Sequence, residues 1–119
     1  MIVFDSDVSI EILRSRPNAI AWFVTLADSE TIAIPGYVAM ELARGCKNRA
    51  ELRDLQRWIA RFRVLWLPVN LSQAALSEYF DVCLRNAIDS LDMLIAHTAL
   101  HHGAPLYTFN QKHYKAVKG

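Results

Sequence analysis

Four short apolar runs, residues 2–4, 31–34, 64–67 and 106–108, are rich in β-branched or aromatic side chains and bounded by polar residues or proline. Runs of that length and composition suit strands buried on both faces. Between them the apolar positions recur every three or four residues, which predicts helices. The clearest covers residues 48–62, with Asn48 as N-cap and Leu52, Leu55, Ile59 and Phe62 along one side. Its other side is basic, carrying Arg49, Arg53, Arg57 and Arg61. Residues 19–27 read as a core helix. Another helix is expected after a Ser72 cap, with Ala75, Leu76, Tyr79, Phe80, Cys83 and Leu84 on its packed side. The last begins at Asp89 or Ser90 and ends at His102, where Gly103 suits a left-handed C-terminal cap.

Strands alternating with helices imply right-handed crossovers and a parallel sheet covered on both faces. The expected fold is therefore α/β, a three-layer α/β/α sandwich with a short, mostly parallel central sheet. At 119 residues and 53% hydrophobic content, residues 1–119 are expected to form a single domain with its own core. A formal net charge of +1 argues by itself for neither a nucleic-acid nor a membrane partner. The amino terminus lacks a basic n-region and reaches acids at once, so no signal peptide is expected and a cytoplasmic location is. The apolar stretch at residues 19–27 falls well short of the roughly 20 residues needed to span a bilayer. Cys46 and Cys83 have no CxxC spacing and read as buried free thiols.

Candidate chemistry lies where apolar runs give way to polar residues, at Asp5, Glu41, Asp92 and Asn110. Open parallel sheets bind ligands beyond the carboxyl ends of their strands. Asp5 and Asn110 each follow such an end, Glu41 belongs to the helix after the second strand, and Asp92 to the first turn of its helix. Acids gathered without His or Cys ligands suit Mg²⁺, which prefers oxygen donors, and phosphodiester hydrolysis is the reaction such an ion serves. The competing account of each acid is a helix cap or a solvated charge.

Asp7 reads first as a cap of the first helix and otherwise as an acid that orients Asp5. Asp89 shares a helix face with Asp92, as a cap or an outer ligand. The run Asp5-Ser6-Asp7-Val8-Ser9 also resembles the start of a haloacid dehalogenase-type phosphatase, but the late lysines lack the paired acidic motif which that chemistry needs. His97 and His101 have the spacing of a zinc pair without a third ligand, so solvent-facing histidines are expected. The arginine stripe is interleaved with Glu51 and Asp54, which favours a solvated helix face over an RNA track. Arg44, three residues after Glu41, and Lys112 and His113, just after Asn110, are better placed to contact RNA. Trp22, Trp58 and Trp66 read mostly as core, with any exposed ring suited to a protein partner.

Three segments then act together. Ile2-Val3-Phe4-Asp5-Ser6-Asp7-Val8-Ser9-Ile10, Val38-Ala39-Met40-Glu41-Leu42-Ala43-Arg44-Gly45, and the stretch from Asp92-Met93-Leu94-Ile95-Ala96-His97 to Leu106-Tyr107-Thr108-Phe109-Asn110 resemble, in order and spacing, a PIN domain of the VapC toxin type. The resemblance covers essentially the whole chain. It implies a Mg²⁺- or Mn²⁺-dependent endoribonuclease, a VapB-type antitoxin that neutralises it, and a homodimer. It also implies that Asp5, Glu41 and Asp92 bind metal, with Thr108 and Asn110 at the polar positions after the fourth strand. Asn110 stands where many relatives carry Asp, offering an amide oxygen without charge. A binding module that keeps the fold without turnover is the rival reading.

Overall fold

The structure, a computed structural model, describes residues 1–14, 17–86, 88–115 and 117. Its elements are β1 (Ile2–Phe4), α1 (Ser6–Leu13), α2 (Pro17–Ser29), β2 (Ile32–Pro35), α3 (Gly36–Arg44), α4 (Arg49–Ile59), β3 (Arg63–Leu65), α5 (Val69–Val82), α6 (Ser90–His101), β4 (Leu106–Tyr107) and α7 (Gln111–Tyr114). The four strands lie in the order β3-β2-β1-β4, and each neighbouring pair is parallel. Ile2 lies opposite Ile32, and Val3 lies between Ala33 and Leu106.

The two-residue period of a strand divides these side chains between two layers. Ile2, Phe4, Ile32 and Ile34 pack with Val8, Ile12, Val38, Leu42, Leu55 and Trp58 from the helices that follow β1 and β2. Val3, Ala33 and Leu65 face the other way and meet Ala99 of α6. This is the expected sandwich. The chain steps outward from β1 to β2 to β3, then crosses back through α5 and α6 to place β4 on the far side of β1. Strand order therefore reverses between β1 and β4, where an open sheet leaves a crevice for ligands.

Several local expectations hold. Asn48 caps α4 by accepting from the Glu51 amide at 2.9 Å, and Gly103 takes a positive φ of 61° just past α6. Others need correction. Helix α5 starts after Pro68, and Ser72 lies inside its first turn, its hydroxyl donating back to the Pro68 carbonyl at 3.2 Å. Ala75 and Val82 are its buried positions, whereas Leu76, Phe80 and Leu84 are 51%, 68% and 97% exposed. The helix is apolar on two sides, so periodicity alone did not select the face that packs. On α4, Leu55 and Trp58 are buried and Leu52 is exposed. The α2 stretch packs through half-buried Ala19, Ile20, Phe23 and Leu26, leaving Val24 exposed. Trp22 and Trp66 are also exposed, although Trp22 stacks on Phe4 at 5.6 Å. Cys46 and Cys83 are free and half-buried. No helix among the described residues is long and apolar enough to cross a membrane.

Two substitutions away from the crevice should rank by mechanism. Ile34 is fully buried, so Ile34→Ala should cost about 3 kcal/mol through lost transfer energy and a cavity. Asn48→Ala should cost about 1 kcal/mol through one lost cap. Urea unfolding should show both as lower midpoints with an unchanged slope.

Candidate active site

The crevice is built around Asp5, which is 3% exposed at the carboxyl end of β1. Its backbone N–H donates to the Tyr107 carbonyl at 3.0 Å, continuing the pairing of β1 with β4. Its side chain caps α1, with Oδ1 accepting from the Ser6 amide at 2.7 Å. The cap of α1 is therefore Asp5, not Asp7. Burying a carboxylate is costly unless donors surround it, and three hydroxyls complete its shell. Ser6 Oγ lies 3.4 Å from Oδ1, while Thr108 Oγ1 and Tyr114 OH donate to Oδ2 at 2.8 and 2.7 Å.

These hydroxyls link Asp5 to the other acids. Ser6 Oγ is also 3.4 Å from Glu41 Oε2, reaching across from α1 to α3. Tyr114 OH is 3.3 Å from Asp92 Oδ1, joining α7 to the first turn of α6. Thr108 Oγ1 is 3.3 Å from Asp7 Oδ2, which also accepts from the Phe109 amide at 3.0 Å. Asp89 caps α6 in a reciprocal box with Asp92: the Asp92 amide donates to Asp89 Oδ1 at 2.8 Å, and the Asp89 amide to Asp92 Oδ2 at 3.3 Å. Asp5, Glu41, Asp92, Asp7, Asp89 and Thr108 thus come together from four separate parts of the chain.

Other candidates stand at the rim or apart. The Asn110 backbone N–H donates to Thr108 Oγ1 at 3.0 Å, but its exposed amide side chain makes no hydrogen bond to the acids among the described residues. His113 Nδ1 approaches Asp92 Oδ2 at 3.9 Å. Lys112 and Arg44 are exposed, Arg44 in the last turn of α3. His97 is not solvent-facing: its Nε2 meets Glu78 Oε2 at 2.5 Å between α6 and α5, while His101 is exposed. The arginine stripe of α4 points outward, with Arg57 paired to Asp54 at 3.5 Å. Sequence reasoning missed Tyr114 and Ser6. Ser6 follows an acid at a strand end, and a polar-tipped aromatic one turn after Asn110 was the only available sign of Tyr114.

Crowding of acids sets the electrostatics. Burial first, then the charges of Asp5, Asp89 and Asp92, push the Glu41 carboxyl above its ordinary range. Asp92 is raised by burial and by Asp89 and Asp5, partly opposed by its hydrogen bonds. Asp7 is raised by burial and then by Asp5. Burial and the same acids push the Tyr114 phenol up, which keeps it a proton donor.

No three His, Cys, Asp or Glu side chains among the described residues close into a ready-made metal cage. The donors nevertheless fit a hard cation. They are all oxygens, and Glu41 Oε1 is buried without a hydrogen-bond partner. Mg²⁺ keeps several waters and is commonly held by one or two carboxylates, so it needs no complete protein cage.

A cluster of acids at the switch point of a parallel sheet places the chain among open α/β proteins, a class whose ligands bind at the strand ends. The PIN domain profile matches residues 2–119, and the chain belongs to that family. A toxin-antitoxin complex from Klebsiella pneumoniae contains a chain similar to it at 18% identity and TM-score 0.78, over 98% of this chain and 92% of that one. VapBC2 from Rickettsia felis, bound to a DNA fragment from its promoter, matches at 22% identity and TM-score 0.78, over 97% and 92%. FitAcB from Neisseria gonorrhoeae matches at 24% identity and TM-score 0.69, over 98% and 92%. These likenesses establish the fold. No curated protein sequence gives a significant match.

The raised carboxyls have a measurable consequence. A carboxyl that holds its proton more tightly folded than unfolded loses that advantage as pH rises from the unfolded value, about 4, through the folded one. Glu41→Gln should therefore stabilise the metal-free protein at pH 7 by a few degrees in Tm, and the gain should shrink toward pH 4. Thermal denaturation in a chelator across that range reads the effect; a Glu41→Gln protein less stable than wild type at pH 7 would contradict it.

Proposed function

We propose that the protein is a Mg²⁺- or Mn²⁺-dependent endoribonuclease acting in the cytoplasm as the toxin of a toxin-antitoxin pair. PIN domains are generally nucleases. The observation that carries the reading here is the meeting of Asp5, Glu41 and Asp92 at the β1/β4 switch point, with a carboxylate oxygen of Glu41 buried and unpartnered. Those three acids would hold the ion, and the bound ion would polarise a phosphoryl oxygen and supply a nucleophilic water at neutral pH. Thr108, just after β4, would orient Asp5 through its hydroxyl, which Asp7 of α1 also contacts, and the Asp89 backbone N–H would orient the Asp92 carboxylate. Asn110, at the crevice mouth, would add an amide oxygen directly or through water. Arg44, Lys112 and His113 lie on the elements that border the acids, where an RNA backbone would need cations to approach a negative site.

The same reading supplies partners. The exposed Val69, Leu76 and Phe80 form an apolar stripe along α5, with exposed Leu84 just past its end, and the stripe suits a second copy of the chain. A groove of about 850 Å³, lined by Trp22, Leu106, Tyr107 and Phe109, adjoins Thr108 and suits a VapB-type antitoxin segment. Light scattering tests the homodimer directly, and a monomer mass at micromolar concentration would remove it.

Cleavage of a panel of structured RNAs with Mg²⁺ or Mn²⁺ tests the activity. Asp5→Asn and Asp92→Asn should each lower the rate by at least roughly 100-fold, the upper end of the effect of a supporting residue around a metal. Equal cutting by all three proteins, or none by any, would sink the nuclease and leave the binding module. Phosphomonoester hydrolysis abolished by Asp7→Asn would instead favour the phosphatase reading.

A further inference from the structure

We propose that Tyr114 is a gate on the ion site, closing the face shared by Asp5 and Asp92 and withdrawing when a divalent cation enters. The inference rests on the metal-dependent reading above. An ionised carboxylate offers about four lone-pair positions. Asp5 has four donor contacts: the Ser6 amide and hydroxyl on Oδ1, and the Thr108 and Tyr114 hydroxyls on Oδ2. A cation shared with Asp92 would need Oδ2, because Tyr114 spans from that oxygen to Asp92 Oδ1. One of the two donors on Oδ2 must therefore leave.

The surroundings select which. Thr108 Oγ1 is fixed on three sides, accepting from the Asn110 amide at 3.0 Å and lying 3.3 Å from Asp7 as well as 2.8 Å from Asp5. Tyr114 ends the single-turn helix α7, and its half-buried ring rests on the cluster of Leu67, Ala75 and Met93. A helix that short has little stability of its own. Its hydroxyl also has one proton for two carboxylates, so Asp92 at 3.3 Å is the poorer served. Glu41, by contrast, already presents a carboxylate oxygen with no hydrogen bond to break. The site thus has no competing donor on the Glu41 oxygen and a competing hydroxyl on the Asp92 side. The Tyr114 hydroxyl lies between two acids that repel each other, a screening that the charge of a bound cation would supply in its place.

Calorimetric titration of the full chain with Mn²⁺, wild type against Tyr114→Phe, tests the gate. The phenylalanine keeps the ring and removes only the competing hydroxyl. Loss of one charge-assisted hydrogen bond corresponds to about tenfold or more in an equilibrium constant, so Tyr114→Phe should bind Mn²⁺ roughly tenfold more tightly. Mn²⁺ should also produce a tyrosine ultraviolet difference spectrum in wild type that is absent from the variant. The wild-type spectrum needs no substitution and stands even if the variant folds poorly. Equal or weaker Mn²⁺ binding by Tyr114→Phe, or saturable wild-type binding without a tyrosine signal, would overturn the gate and leave the metal reading intact. No Mn²⁺ binding by either protein would overturn the metal reading and the gate with it.

Discussion

A buried carboxylate at the carboxyl end of β1 joins three things that would otherwise be independent: the β1/β4 edge, the start of α1 and the acidic crevice. Asp5 extends the sheet through its N–H, caps a helix through Oδ1 and gathers hydroxyls through Oδ2. Left without donors, such a group would cost several kcal/mol and neutralise or expel itself. Its survival in the core fixes what its neighbours must be. Ser6, Thr108 and Tyr114 each present a hydroxyl, the smallest donor that can serve one acid and reach toward the next.

The arrangement costs stability. Glu41, Asp92 and Asp7 all hold their protons above the ordinary range, because burial and mutual repulsion disfavour the charged forms. A fold has no structural reason to gather acids in this way, and strained electrostatics of this kind cluster where function demands them. The bridging hydroxyls moderate the repulsion without removing it. A divalent ion would remove it more fully, which connects this geometry to the proposed activity.

Much of this was legible from residue order. Short apolar runs at residues 2–4 and 31–34 suit strands buried on both faces, and their alternation with helices implies crossovers, so the sandwich was the expected fold. Asp5, Glu41 and Asp92 stood out because each interrupts an apolar segment at an element boundary. What stayed hidden depended on contacts distant in sequence. Tyr114 meets Asp5 from 109 residues away, and only its place one turn after Asn110 hints at that meeting. Helix α5 was misjudged for another reason: Leu71, Ala75 and Tyr79 form one stripe, Leu76, Phe80 and Leu84 another, and only the tertiary neighbours decide which is covered. Asn110 was expected beside the acids, and its backbone is there while its amide points to solvent, since Thr108 takes the contact with Asp5.

Asp5, Glu41 and Asp92 are proposed to form one cation site. Its most direct measurement is the anomalous difference map of a crystal grown with Mn²⁺. A peak within roughly 2.0–2.5 Å of carboxylate oxygens of Asp5 and Asp92, with Glu41 oriented toward it directly or through water, is the result expected. A map with no peak in the crevice at saturating Mn²⁺, or one whose only peak lies elsewhere on the surface, would contradict it.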